Sequence, residues 1–66
     1  MIEINTSEYV FAYGHNPRGR DSWAFQIGYR EDEIFWSKPY QLYSQALADA
    51  HRFAVAKGKR FVKVLP

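Results

Sequence analysis

Ser22-Trp-Ala-Phe-Gln-Ile-Gly-Tyr-Arg-Glu-Asp-Glu-Ile-Phe-Trp36 is the stretch whose reading decides the fold. Two aromatic-rich runs flank a polar centre, Arg30-Glu31-Asp32-Glu33, which reads as the reversal of a β-hairpin. Side chains alternate across a strand, so Trp23, Phe25, Ile27 and Tyr29 share one heavy face of the first arm. Ala24, Gln26, Gly28 and Arg30 share the lighter face. The second arm, Glu33 to Ser37, puts Phe35 on one face and Ile34 with Trp36 on the other. Lys38-Pro39 stops it, because proline brings no ladder donor.

Beyond the hairpin the chain reads as a helix and a strand. Alanine recurs at Ala46, Ala48, Ala50, Ala54 and Ala56, and alanine is the strongest helix former. Ser44 is a good N-cap, so a helix is predicted from there through Lys57, with Gly58 as its stop. Ala46, Leu47, Ala50, Phe53 and Ala54 form one stripe at helical spacing. Small residues in that stripe let the helix lie close against the heavy hairpin face. Arg60-Phe-Val-Lys-Val-Leu65 follows as a short strand, closed by Pro66.

Ahead of the hairpin, Glu8-Tyr-Val-Phe-Ala-Tyr-Gly14 is β-branched and aromatic and reads as the first strand. Residues Met1 to Ser7 read as a loosely ordered lead-in. His15-Asn-Pro-Arg-Gly-Arg-Asp21 is a loop, punctuated by Pro17 and Gly19. The expectation is one α+β domain over residues 1–66, an antiparallel three-stranded sheet packed on one helix, in the order β-β-β-α-β.

Sixty-six residues leave no room for a second core, and a chain this short buries only about 60% of its unfolded surface. No cysteine is present, which excludes disulfides and thiolate zinc sites. His15 and His51 lack a ligand spacing, so neither a metal nor a cofactor is expected. The two Trp, five Tyr and five Phe exceed what one small core hides. Some of these rings are therefore expected at the surface or against a partner, a homodimer mate among the possibilities. No apolar run reaches the roughly 20 residues that span a bilayer, and the acidic, polar Met-Ile-Glu-Ile-Asn-Thr-Ser-Glu start is unlike a signal peptide. A soluble, cytoplasmic protein with no membrane contact is the expectation.

Charge is unevenly spread. After Ala50 come Arg52, Lys57, Lys59, Arg60 and Lys63 without an acid, whereas before it four basic residues face seven acidic ones. A basic end of this kind suits phosphate or an acidic protein surface. It equally suits a solvated edge that blocks sheet-to-sheet association.

Enzyme chemistry finds little footing. A hydrolytic triad needs a serine, a histidine and a carboxylate converging in a pocket, which 66 residues scarcely enclose. Glu31, Asp32 and Glu33 are consecutive at a turn, where alternating directions make poor acid–base or metal partners. No catalytic residue is assigned. Nucleic-acid binding has better ingredients, since a β-sheet can enter the major groove. Arg18 and Arg20 flank Gly19 and can hold phosphate, while Arg30 and Lys38 border the sheet. Gln26 and Trp36 near its centre can meet bases or sugars, and Lys57, Lys59, Arg60 and Lys63 add unspecific attraction.

Trp23-Ala-Phe-Gln-Ile27, then Phe35-Trp36, an Ala-rich helix, Lys57-Gly58 and a closing Val64-Leu65-Pro66 resemble the AP2-type DNA-binding domain. The resemblance runs from about Tyr9 to Pro66. It implies three strands packed on one helix, with the sheet reading the major groove. By the family's pattern Gln26, Gly28 and Trp36 face DNA, while Trp23, Phe25, Ile27 and Phe35 face the helix. The chain departs from that pattern where the arginine-bearing first strand is Tyr9-Val-Phe-Ala-Tyr13. Gly28 stands for an arginine, Ile34 for a basic residue, and a glycine soon after the third strand is missing. In outline, Ser22 to Pro66 is also similar to small phage-encoded inhibitors of bacterial RNA polymerase. That likeness implies a protein-interaction module, a phage or mobile-element regulator that blocks a host protein complex through an aromatic face. Ile34 and Trp36 beside Tyr9, Phe11 or Tyr13 would form such a face.

Overall fold

A computed structural model describes residues Met1 to Pro66. Its elements, in chain order, are β1 (Glu3–Asn5), α1 (Ser7–Tyr13), β2 (Arg20–Asp21), β3 (Ala24–Ile27), β4 (Ile34–Trp36), β5 (Gln41–Leu42), α2 (Tyr43–Ala56) and β6 (Phe61–Val64). The hairpin forms as its alternation predicts: Ala24 lies opposite Trp36, Phe25 opposite Phe35 and Gln26 opposite Ile34, antiparallel. At its tip the Glu33 N–H donates to the Arg30 carbonyl at 3.3 Å.

The predicted partition of faces holds from Trp23 to Ile27, whereas Tyr29, expected on the heavy face, lies beyond the left-handed Gly28 and is exposed. Phe25 and Ile27 of β3 align with Val64 and Val62 of β6, and all four are fully buried. Against them α2 lays Ala46, Ala50 and Ala54, also fully buried, with Leu47 and Phe53 packed at the margins. One alanine per turn lets the helix backbone approach the bulky strands without a void. The Trp23 indole closes one end of this core, 5.0 Å from the Tyr43 ring, and its Nε1–H donates to the Gln41 carbonyl at 2.8 Å. Phe53 meets Phe35 at 5.3 Å.

The α+β class stands, but the sheet differs from the expected three antiparallel strands on one helix. Four strands run in the order β1-β6-β3-β4, with β1 parallel to β6, and β2 pairs with β5 as a separate two-stranded ribbon. The order β-β-β-α-β is thus replaced by β-α-β-β-β-β-α-β.

Two segments account for the change. Residues Met1 to Ser7 are not a loose lead-in: Ile4 sits beside Val62 in the sheet, and Ile2 and Ile4 pack on the core. Glu8–Gly14 is not a strand but the helix α1. Strand propensity is realised through cross-strand packing, and β6 and β4 already occupy both flanks of β3. The segment instead buries Tyr9 and sets the Tyr13 ring against it one turn later, tilted, at 4.6 Å. Asn5 Oδ1 accepts the Ser7 N–H at 3.0 Å at its start. Gly14, at φ 75°, ends it with an N–H to the Val10 carbonyl at 2.7 Å. The main helix also begins earlier than predicted: Leu42, not Ser44, is its N-cap, with no side-chain cap.

Gly28 shows a second use of glycine. It lies at φ 76°, donates to the Phe61 carbonyl at 2.6 Å, and a Cβ there would stand 3.1 Å from Lys59 Cδ. The flexible lysine can yield, but the left-handed backbone cannot. Gly28→Ala is therefore expected to cost about 1–2 kcal/mol, read as a lower urea midpoint at unchanged slope.

Candidate nucleic-acid interface

The free face of the sheet follows from its register. Gln26 lies beside Lys63 on one side and Ile34 on the other, and Ala24 beside Trp36. This is the face expected to meet a ligand, and most of its polar groups are already engaged. Gln26 is only 5% exposed, and its Nε2 donates to the Gly28 carbonyl at 3.1 Å. Lys63 Nζ pairs with Glu8 of α1 at 2.7 Å, and Lys59 Nζ with Glu33 at 3.4 Å. The Arg30 guanidinium grips Asp32 through two hydrogen bonds, 3.1 and 2.9 Å. Those bonds hold the Asp32 carboxyl below its ordinary range and raise Arg30 above its own. Arg52 also pairs with Asp49, through Nη2 and Oδ1.

Arg18, Arg20, Lys38, Lys57 and Arg60 form no ion pair. The fold divides them between two ends. Helix α2 has 14 residues, so its termini are about 21 Å apart at 1.5 Å per residue. Lys57 follows its C-terminal end, where the ammonium lies 5.5 Å from the Phe53 ring centre. Arg60 precedes β6, whose first residue receives the Gly28 N–H, so it shares that end with the hairpin tip and Glu31, Asp32 and Glu33.

At the other end the chain gathers Arg18, Arg20 and Lys38, with Trp36 two residues before Lys38 on the β4 edge. Two interactions place the arginines. The β2–β5 pairing sets Arg20 opposite Leu42 and Asp21 opposite Gln41. The Tyr43 N–H then donates to the Gly19 carbonyl at 2.9 Å, pinning the Arg18-Gly19-Arg20 loop to the start of α2. The Tyr9 hydroxyl is pushed up by burial and then by the charge of Asp21, with Arg18 opposing. Trp36 is 69% exposed and shares a shallow groove with Lys38, Phe35, Phe53, Asp49 and Arg52.

Tyr40 joins this end without having stood out in the sequence. Its ring is 72% exposed, the Arg20 guanidinium lies 5.9 Å from the ring centre, and Arg20 Nη1 donates to the Tyr40 carbonyl at 3.4 Å. This end therefore combines three unpaired cations with two exposed aromatic rings.

No helix of the chain is long and apolar enough to cross a membrane. Comparison with family models, with curated proteins and with solved structures finds no match to this chain.

Proposed function

We propose that the chain is a non-enzymatic module that binds nucleic acid, with DNA the first ligand to test. The observation that carries this reading is the union of Arg18, Arg20 and Lys38, all without a carboxylate partner, with the exposed rings of Trp36 and Tyr40. Guanidinium and ammonium groups neutralise phosphate, and aromatic faces take up bases. This shifts the proposed contact from the centre of the sheet, where Gln26 and Lys63 are engaged, to the end that carries Tyr40, Lys38 and Trp36.

A second reading is a protein-interaction module, a regulator that blocks a host protein complex or pairs with its own copy. It is favoured by the five exposed aromatics Phe11, Tyr13, Tyr29, Trp36 and Tyr40. The two readings share Trp36 but not the cations.

Fluorescence anisotropy of labelled DNA and RNA, titrated at about 50 and 200 mM salt, tests the first reading. Binding that weakens steeply with salt supports it, and no binding at the lower salt sinks it. Trp36→Ala should weaken binding by about 1–3 kcal/mol, the worth of one stacked base. Its melting temperature should match the parent's, since most of the indole is in solvent. A captured protein partner that is released by Trp36→Ala but kept by Arg20→Ala would favour the second reading.

A further inference from the structure

We infer that the strand this module takes is single, and that Tyr40 is the ring on which one of its bases stacks. The inference rests on the nucleic-acid reading above. Tyr40 is the one non-glycine residue of the chain with positive φ, at 55°. A bulky side chain is disfavoured there by contact between its Cβ and the following carbonyl. Tyr40 recovers little by burial, being 72% exposed, with the exposed Arg20 as its neighbour. Strain kept for so small a packing return marks a position held for contact with something else.

The surrounding bonds fix the backbone that carries that ring. Gln41 accepts the Lys38 N–H on Oε1 at 3.1 Å and donates from Nε2 to Asp49 at 3.0 Å. The Gln41 carbonyl receives the Trp23 indole N–H at 2.8 Å. The turn before β5 is thus tied to the core and to α2, while Arg20 lies beside the ring as a positive neighbour. An exposed ring on a tied backbone, next to an unpaired cation, is suited to a base attached to a phosphate.

The same structure disfavours a duplex. Base faces are hidden within a stacked duplex and open only in single strands. A duplex laid along the sheet would look for flanking cations and find Arg30, Lys59 and Lys63 already paired with Asp32, Glu33 and Glu8. It would also meet the acidic hairpin tip.

The test uses fluorescein-labelled oligothymidylate and oligouridylate of about 16 nucleotides, the upper site size of one small single-strand-binding fold, with a mixed-sequence duplex of equal length. Anisotropy is read with the parent chain, Tyr40→Phe, Tyr40→Gly and Tyr40→Asn. Single strands should bind at least about tenfold tighter than duplex, and the ratio of the two single strands tells DNA from RNA. Tyr40→Phe should bind like the parent. Tyr40→Gly and Tyr40→Asn, which tolerate the left-handed backbone, should lose roughly 5- to 150-fold in affinity while their urea midpoints equal or exceed the parent's. Parent-like binding by Tyr40→Gly and Tyr40→Asn would remove Tyr40 from the site and leave the nucleic-acid reading standing. Duplex bound as tightly as single strand would overturn the single-strand assignment alone. No binding to any of the three probes would overturn both.

Discussion

Phe25→Ala is expected to abolish cooperative unfolding. Phe25 is fully buried at the centre of the sheet, between Phe35 of β4 and Val64 of β6, with the Tyr43 ring 6.4 Å away. Truncating such a phenylalanine costs about 3–5 kcal/mol, through forfeited transfer free energy and the cavity left behind. A chain of 66 residues has only about 3–10 kcal/mol to lose, at roughly 0.05–0.15 kcal/mol per residue. Thermal scans by circular dichroism should therefore lose their sigmoidal transition. Phe11→Ala is the contrast: Phe11 is 86% exposed, and its removal should change stability by no more than about 0.5 kcal/mol. Equal midpoints for Phe25→Ala and the parent would take Phe25 out of the core.

Removing Arg18, Arg20 and Lys38 together, each as alanine, is the second large effect. If these cations meet single-strand phosphates, the slope of log affinity against log salt should fall by about 0.7 for each phosphate no longer neutralised, about 2 in all. At about 0.1 M salt that corresponds to roughly a hundredfold weaker binding, with 1 M as reference. The matching control removes a whole ion pair at constant net charge: Arg30→Gln with Asp32→Asn. Both groups of that pair are largely exposed, so its removal should alter stability little and leave the slope unchanged. A control that fell as far as the triple variant would move the site to the hairpin tip.

The parts of the fold legible in the sequence are those set by short-range periodicity. Alternation from Trp23 to Tyr29 places Phe25 and Ile27 inside and Ala24 and Gln26 on the opposite face, which is where they lie. The alanine stripe marks α2 and its buried face. Segments whose state depends on distant partners do not yield to the same reading. Tyr9-Val-Phe-Ala-Tyr13 has strand residues, yet Gly14 behind a Tyr pair four apart is a helix ending, and that signal is present in the chain. Ile2 and Ile4 alternate with polar residues, but their partner is β6, more than 50 residues away. The candidate site follows the same rule. Arg18, Arg20, Trp36 and Lys38 stand out as residue types, whereas the engagement of Lys63 needs Glu8 brought across by α1. Tyr40 becomes visible only through its backbone angle and the β2–β5 ribbon.

The place of β6 has a consequence for how the chain is made. Strand β6 is the last element in sequence and an inner strand of the sheet, with β1 on one side and β3 on the other. During synthesis, which proceeds at about 5–20 residues per second, everything upstream of Phe61 has only the β3–β4 hairpin and the small β2–β5 ribbon to pair. Val62 and Val64, the inner wall against α2, do not yet exist. Before β6 is added, α2 can cover the inner face of β3 but nothing pairs its second edge, and any product that stops before Phe61 lacks the strand that joins β1 to β3. A fragment that stops there is expected to show no cooperative unfolding and to be cut readily by proteases.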